Sequence, residues 1–306
     1  MASKLILVTG ATGLQGGAVV DALLADSAPV RALVRNPASP AALQLAARGV
    51  ELAHGDFDDA DSLHAATADV WGVFSMQNPS TNDAPEAELR AGRNLIDAAH
   101  AAGVTTFVQT SVARAGDQQS FAGWHDGRWD EIYWNAKSGV IDMVRAANFP
   151  FYTILKPALM MANFLPPRSQ WIWPSLQRSI IETAVKADTT LDLIDAIDIG
   201  RFAAAAFADP RRFNGQEIDL AGDALTPVEI AAILSEATGK TVAYAHLTAE
   251  DAKAQGRIPA VVVSEEWNNV EGYRVDMAKV DSFGMKRTSF ADFARRHAED
   301  FHIKGQ

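Results

Sequence analysis

Not one of the 306 residues is cysteine. That excludes disulfides, thiolate nucleophiles and cysteine-bound metals, and it makes a reducing, cytoplasmic setting the expectation. Positive charge is also scarce: 27 Lys and Arg against 38 Asp and Glu leave a formal charge of −11, with no dense basic cluster. Such a surface repels phosphates, so direct nucleic-acid binding is excluded as a general role. Long apolar runs are missing as well. The first, Leu5–Val8, is too short for a signal-peptide core and far below the ~20 residues of a membrane span; "FAAAAFA" (202–208) reads as buried helix, and no membrane partner is expected. The seven histidines form no H-E-x-x-H, and "HAEDFH" (297–302) has the wrong spacing for two ligands on one helical face, so no metal is expected. No G-x-S-x-G nucleophile elbow, internal repeat or low-complexity stretch occurs.

What the chain does contain is alternation. Strand-like runs at 4–9, 30–34, 50–53, 70–75, 105–110 and 151–155 are separated by helical patterns at 14–25, 40–48, 60–66, 85–102 and 130–147. Strands alternating with helices on this scale predict an α/β fold, a Rossmann-type doubly wound parallel sheet. Beyond Pro157 the pattern loosens into "NFLPPRSQWIWPS" (163–175), then resumes with helices near 197–208, 227–238, 249–255 and 290–298 and strands at 217–220 and 242–246. The expected division is a strand–helix domain over 1–157, with a returning segment near 190–220, and a smaller, irregular α+β part over 158–306.

Between the first strand and first helix lies "TGATGLQGG" (9–17), with Gly10, Gly13 and Gly16 three apart. Gly10 permits the tight turn, Gly13 lets backbone approach a diphosphate, and Gly16 lets helix and strand pack closely. The second strand ends in "RALVRNP" (31–37), where an NAD-binding chain usually carries an acid for the ribose 2′-hydroxyl. Here Arg35 stands instead, with no acid nearby. A guanidinium pairs with a 2′-phosphate in fork geometry, so the expected cofactor is NADP(H).

With "VTGATGLQGG", "ALVRNP", "GDFDD", "YWNAK" and "YTILKPALMMANF" in hand, the chain resembles the NmrA-like family, atypical members of the short-chain dehydrogenase/reductase superfamily. The resemblance runs from Leu5 to about Phe164. It implies a Rossmann fold and NADP(H), and it leaves two activities open: reduction of quinones and other small, often aromatic molecules, or redox sensing by a regulatory protein without catalysis. It implies a phosphate loop at Gly10, Thr12, Gly13, Leu14, Gln15 and Gly16, Arg35 on the 2′-phosphate, and Asp56 with Phe57 beside the adenine. Asp56 also competes for a helix-cap role that Asp58 or Asp59 can take. Met76 and Gln77 are expected under the ribose and nicotinamide, with Lys156, Pro157, Ala158 and Leu159 at the nicotinamide end.

"YWNAK" places Tyr133 and Lys137 four apart, on one helical face. In reductases of this superfamily such a tyrosine donates a proton, and the lysine lowers its pKa and holds the ribose hydroxyls. Ser111, at the end of the fifth strand, completes the expected catalytic set by polarising a substrate carbonyl. The bland alternative is a buried Tyr133 beside a solvated Lys137. Trp124, Trp129, Trp134, Trp171 and Trp173, with Met160, Met161 and Phe164, suit an aromatic or quinone-like substrate, although most are expected in a core. A homodimer or a regulatory protein is a further partner compatible with the resemblance. A nucleotide-sugar epimerase or dehydratase is a third reading, opposed by Arg35 and the tryptophan-rich segment.

Overall fold

The computed structural model describes residues 4–304. Two compact units divide the chain: one gathers residues up to Gly116 with Ile132–Lys156 and Ile199–Asp219, the other Asp117–Glu131, Pro157–Asp198 and the residues from Leu220 onward. The segment 117–131, expected from the sequence in the first domain, thus clusters with the second unit.

The first unit is built on β1 (Ile6–Val8), β2 (Val30–Val34), β3 (Glu51–His54), β4 (Gly72–Ser75), β5 (Thr106–Thr110) and β6 (Phe151–Pro157). Between them run α1 (Leu14–Ala25), α2 (Pro40–Ala47), α3 (Ala60–Thr67), α4 (Ala87–Ala101) and α5 (Glu131–Ala146). The seven-stranded sheet is ordered β3-β2-β1-β4-β5-β6, followed by the returning strand Gln216–Leu220. Neighbours from β3 to β6 pair in parallel. Parallel strands are covered on both faces, which explains uninterrupted apolar runs such as "ILV" at β1, all buried. Leu7, Val8, Val73, Phe74, Phe107, Val108 and Ile154 are wholly buried there. The strand order reverses between β1 and β4, the point where ligand crevices open in such sheets.

Glycine sets several close approaches in this unit. A Cβ on Gly200 would lie 2.3 Å from the carbonyl oxygen of Ala18 in α1, and one on Gly72 would lie 2.8 Å from the Phe207 ring.

Small sheets and many short helices make up the second unit. Asp223–Leu225, Leu191–Ile194 and Leu159–Met160 form one sheet, and Ala243–His246 pairs in parallel with Ile180–Thr183 in another. Aromatic rings fill much of its core: Phe164 stacks on Trp173 at 4.8 Å and meets Phe290 edge-on at 5.2 Å. Of the five clustered tryptophans, Trp124, Trp129, Trp134 and Trp173 are buried, and Trp171 is half exposed. The helix Pro259–Val270 is not anticipated by the sequence pattern. Its "AVVV" start has the β-branched character of a strand, and its buried Val262 and Trp267 override that preference. Among the described residues no helix is long and apolar enough to cross a membrane.

Candidate dinucleotide site

The three glycines after β1 have separate structural roles. Gly10 has φ +63°, a left-handed conformation, and the Met76 methyl lies 2.6 Å from where its Cβ would be. Gly13 is the N-cap of α1, and its N–H donates to Gly10 O at 2.8 Å. A Cβ on Gly16 would lie 2.3 Å from Gly10 O and 2.7 Å from Thr9 O, so the helix can sit this close only with glycine there. No side chain caps α1 and no acid stands in its first turn. The first-turn amides and the positive end of the helix dipole are therefore left without a capping side chain or acid, an arrangement that suits a diphosphate. Thr12 is exposed, while Leu14 and Gln15 are half-buried. The Gln15 amide oxygen accepts from Thr110 Oγ1 at 2.8 Å, tying the loop to β5.

Arg35 follows β2 directly and is exposed, without an ion pair or hydrogen bond to the described residues. Asp56 and Phe57, both half-buried, leave the end of β3. The cap of α3 is Asp59, whose carboxylate accepts the Ser62 N–H. Asp56 instead accepts the Asp58 N–H at 2.9 Å, a local turn. Asp58 is bound to Arg90, whose hydrogen bond holds the Asp58 carboxyl below the usual range. Asn94 donates to the Phe57 carbonyl at 2.8 Å, so α4 fixes this corner.

Across the reversal point, Met76 N–H donates to Thr9 Oγ1 at 2.7 Å and Thr9 Oγ1 donates to Met76 O at 3.0 Å. Gln77 is buried and turned inward: its amide nitrogen donates to Ser75 Oγ, and its oxygen accepts from Gln109 Nε2 at 3.0 Å. The side chain expected to touch cofactor is thus occupied inside the protein.

The three residues expected to be catalytic lie near one another, with different partners from those expected. Lys137 is buried, not solvated, and its ammonium lies 2.7 Å from Glu88 Oε1. Its Nζ is 5.6 Å from the centre of the half-buried Tyr133 ring, which packs edge-on against Trp134. Ser111 Oγ donates to the Lys137 carbonyl at 3.3 Å, so that hydroxyl is engaged by α5 backbone rather than held free. Lys156 is buried at the end of β6 beside Asp219 (3.3 Å) and donates to Ala115 O. Pro157, Ala158 and Leu159 belong to the second unit, where Ala158 N–H donates to Leu220 O at 2.9 Å.

Glu88, Ser80 and Gln109 carry no sequence signal of these contacts. "PEAELRAGRN" looks like a solvated amphipathic start, and only the fold shows that Glu88 is buried. Among the described residues no cluster of three His, Asp or Glu is placed to hold a metal.

Comparison with known proteins places this geometry among relatives. An NAD(P)H azoreductase of Xenophilus azovorans is 30% identical over 97% of this chain and 99% of its own. Quinone oxidoreductase 2 of Escherichia coli is 28% identical over 81% of this chain and 79% of its own. Among solved structures, a Citrobacter sp. triphenylmethane reductase complexed with NADP(H) matches with a TM-score of 0.77 at 23% identity, over 96% of this chain and 99% of that one, a likeness of fold. The profile of the NmrA-like family matches residues 2–290, and the chain belongs to that family.

Proposed function

We propose that this protein is an NADP(H)-dependent oxidoreductase that reduces a small aromatic or quinone-type molecule. The observation carrying the reading is the glycine cradle at the strand reversal, followed one strand later by an exposed Arg35 with no protein partner among the described residues. Similarity to an azoreductase and a quinone oxidoreductase supports the reaction class.

The nicotinamide dinucleotide supplies the hydride when bound. The α1 amides hold its diphosphate, and Arg35 selects the 2′-phosphorylated form. Lys137 offers N–H donors to the ribose hydroxyls. Because Glu88 balances its charge, it acts there as a placed donor rather than as a free cation. The Ser111 proton is directed at Lys137 O, and half-buried Tyr133, beside Lys137, is the group assigned to proton donation to a carbonyl substrate. Quinones and azo dyes can take their proton from water after hydride transfer, so they suit a site whose other donors are already engaged.

The test is NADPH oxidation by the purified protein against quinones, azo dyes and aldehydes. Turnover that Lys137→Ala sharply reduces is expected. Silence across all three classes counts against catalysis. The engagement of Ser111 and Lys137 favours one second reading, a redox sensor that binds NADP(H) and releases or captures a protein partner. That reading requires partner capture to change with the dinucleotide's oxidation state, and indifference to both forms removes it.

A further inference from the structure

Helices α4 and α5 approach each other over two glycines. A Cβ on Gly92 would lie 2.9 Å from Val140 Cγ2, and one on Gly139 would lie 2.6 Å from Leu89 Cδ2. This closeness lets the Glu88 carboxylate on α4 reach the Lys137 ammonium on α5, with side-chain exposures of only 3% and 9%. Glu88 is itself held in place. Its Oε2 accepts the Ser80 N–H at 3.3 Å, and its own N–H donates to Ser80 Oγ at 3.1 Å. Ser80 ends the stretch after β4 that begins with Met76 and Gln77. At its other end, Lys137 receives the Ser111 hydroxyl on its carbonyl. Loop, carboxylate and ammonium therefore form one chain of contacts from β4 to α5.

We propose that Glu88 is a positioning residue for Lys137: it fixes where the ammonium points, cancels its charge, and couples its placement to the loop after β4 through Ser80. The inference rests on the reading of Lys137 as the ribose-facing group. Physically, an ammonium this deep has to be paired or lose its proton, because burial disfavours the charged form. With Glu88 in place the ammonium is paired and directional, with N–H groups left for neutral hydroxyls. Without Glu88, burial acts unopposed. Glu88 on α4 and Tyr133 on α5 are titratable groups packed against Lys137.

The experiment compares wild type, Glu88→Gln, Glu88→Asp, Lys137→Met and the double variant Glu88→Gln/Lys137→Met, with NADPH affinity measured by calorimetry from neutral to alkaline pH. Glu88→Gln is expected to weaken NADPH roughly tenfold or more and to bring in a loss of affinity at lower pH than in wild type, as the unpaired ammonium gives up its proton. A residue serving only the fold would leave that pH profile in place. Glu88→Asp, which keeps the charge and shortens the reach, should restore the profile but not the full affinity. The double variant should bind no more weakly than Lys137→Met alone, since Glu88 acts through Lys137.

Wild-type affinity and profile in Glu88→Gln would overturn the proposal, as would additive losses in the double variant. If Glu88→Gln does not fold, Ser80→Ala serves: it keeps the ion pair and removes the hydroxyl that accepts the Glu88 backbone N–H, so a smaller weakening is expected, and none overturns the proposal. Failure of wild type to bind NADPH brings down the functional reading itself. Normal binding with a silent Glu88→Gln brings down this inference alone.

Discussion

The glycine-loop end of the first unit and a set of paired or capped groups in the second treat polar atoms in opposite ways. In the first, the start of α1 has no capping side chain and Arg35 has no protein partner among the described residues. In the second, comparable groups are closed off. Arg257, buried, donates to Glu265, to the Glu182 carbonyl and to the Ile172 carbonyl. The helix Pro227–Thr238 begins with a complete capping box between Thr226 and Glu229. Buried Asp198 accepts both the N–H and the hydroxyl of Thr288. Groups left open around the crevice are available for a ligand, and groups closed elsewhere hold the fold. Substitutions should separate the two kinds, some moving stability alone and others moving affinity.

The largest effect is expected at Arg257→Met, which leaves the buried Glu265 carboxylate alone and should cost about 3–5 kcal/mol in denaturant unfolding. Burial already pushes the Glu265 pKa up, against the pull of Arg257. A raised carboxyl contributes stability that is present below the ordinary glutamate value and lost as pH rises through the folded-state value. The deficit of Arg257→Met should therefore shrink on acidification, and dinucleotide affinity in the folded protein should be unchanged. A deficit constant with pH would break the assignment.

Gly16→Ala comes next. Its methyl would meet backbone oxygens that cannot withdraw, costing about 1–3 kcal/mol, and NADPH binding should be lost as the cradle opens. Arg35→Gln should leave the unfolding midpoint alone. It should remove about 1.5–3 kcal/mol of charge-assisted bonding to the 2′-phosphate, seen as collapse of the calorimetric preference for NADPH over NADH. Thr226→Ala, the mildest, should cost ~1 kcal/mol and lower Tm without touching affinity. A change of NADPH affinity in Thr226→Ala would erase the distinction between open and closed groups.

What the sequence makes legible follows from how local each cause is. The parallel strands are apolar runs because both faces are covered, and the helix Pro227–Thr238 announces itself through its own first residues. The glycine loop is legible for the same reason: Gly10 is required by its left-handed backbone and Gly16 by contacts within the turn. The helix at Pro259–Val270 is hidden by valines whose local preference loses to burial. Glu88 is hidden because its partner lies 49 positions away and becomes a partner only where two glycines let the helices close. Ser111 sits where the strand pattern puts it, while the direction of its hydroxyl depends on a helix the pattern cannot orient.

Thr9 sits where the central seam of the sheet comes to an end. Past Val8 and Phe74 the parallel ladder between β1 and β4 runs out, and the next stitch is made by the Thr9 side chain to Met76. That hydroxyl is an end-stop: it determines how far the seam stays zipped and hence where the ends of β1 and β4 part. Serine in its place keeps the stitch. Valine, matching its shape without its oxygen, would let the seam come undone a residue early.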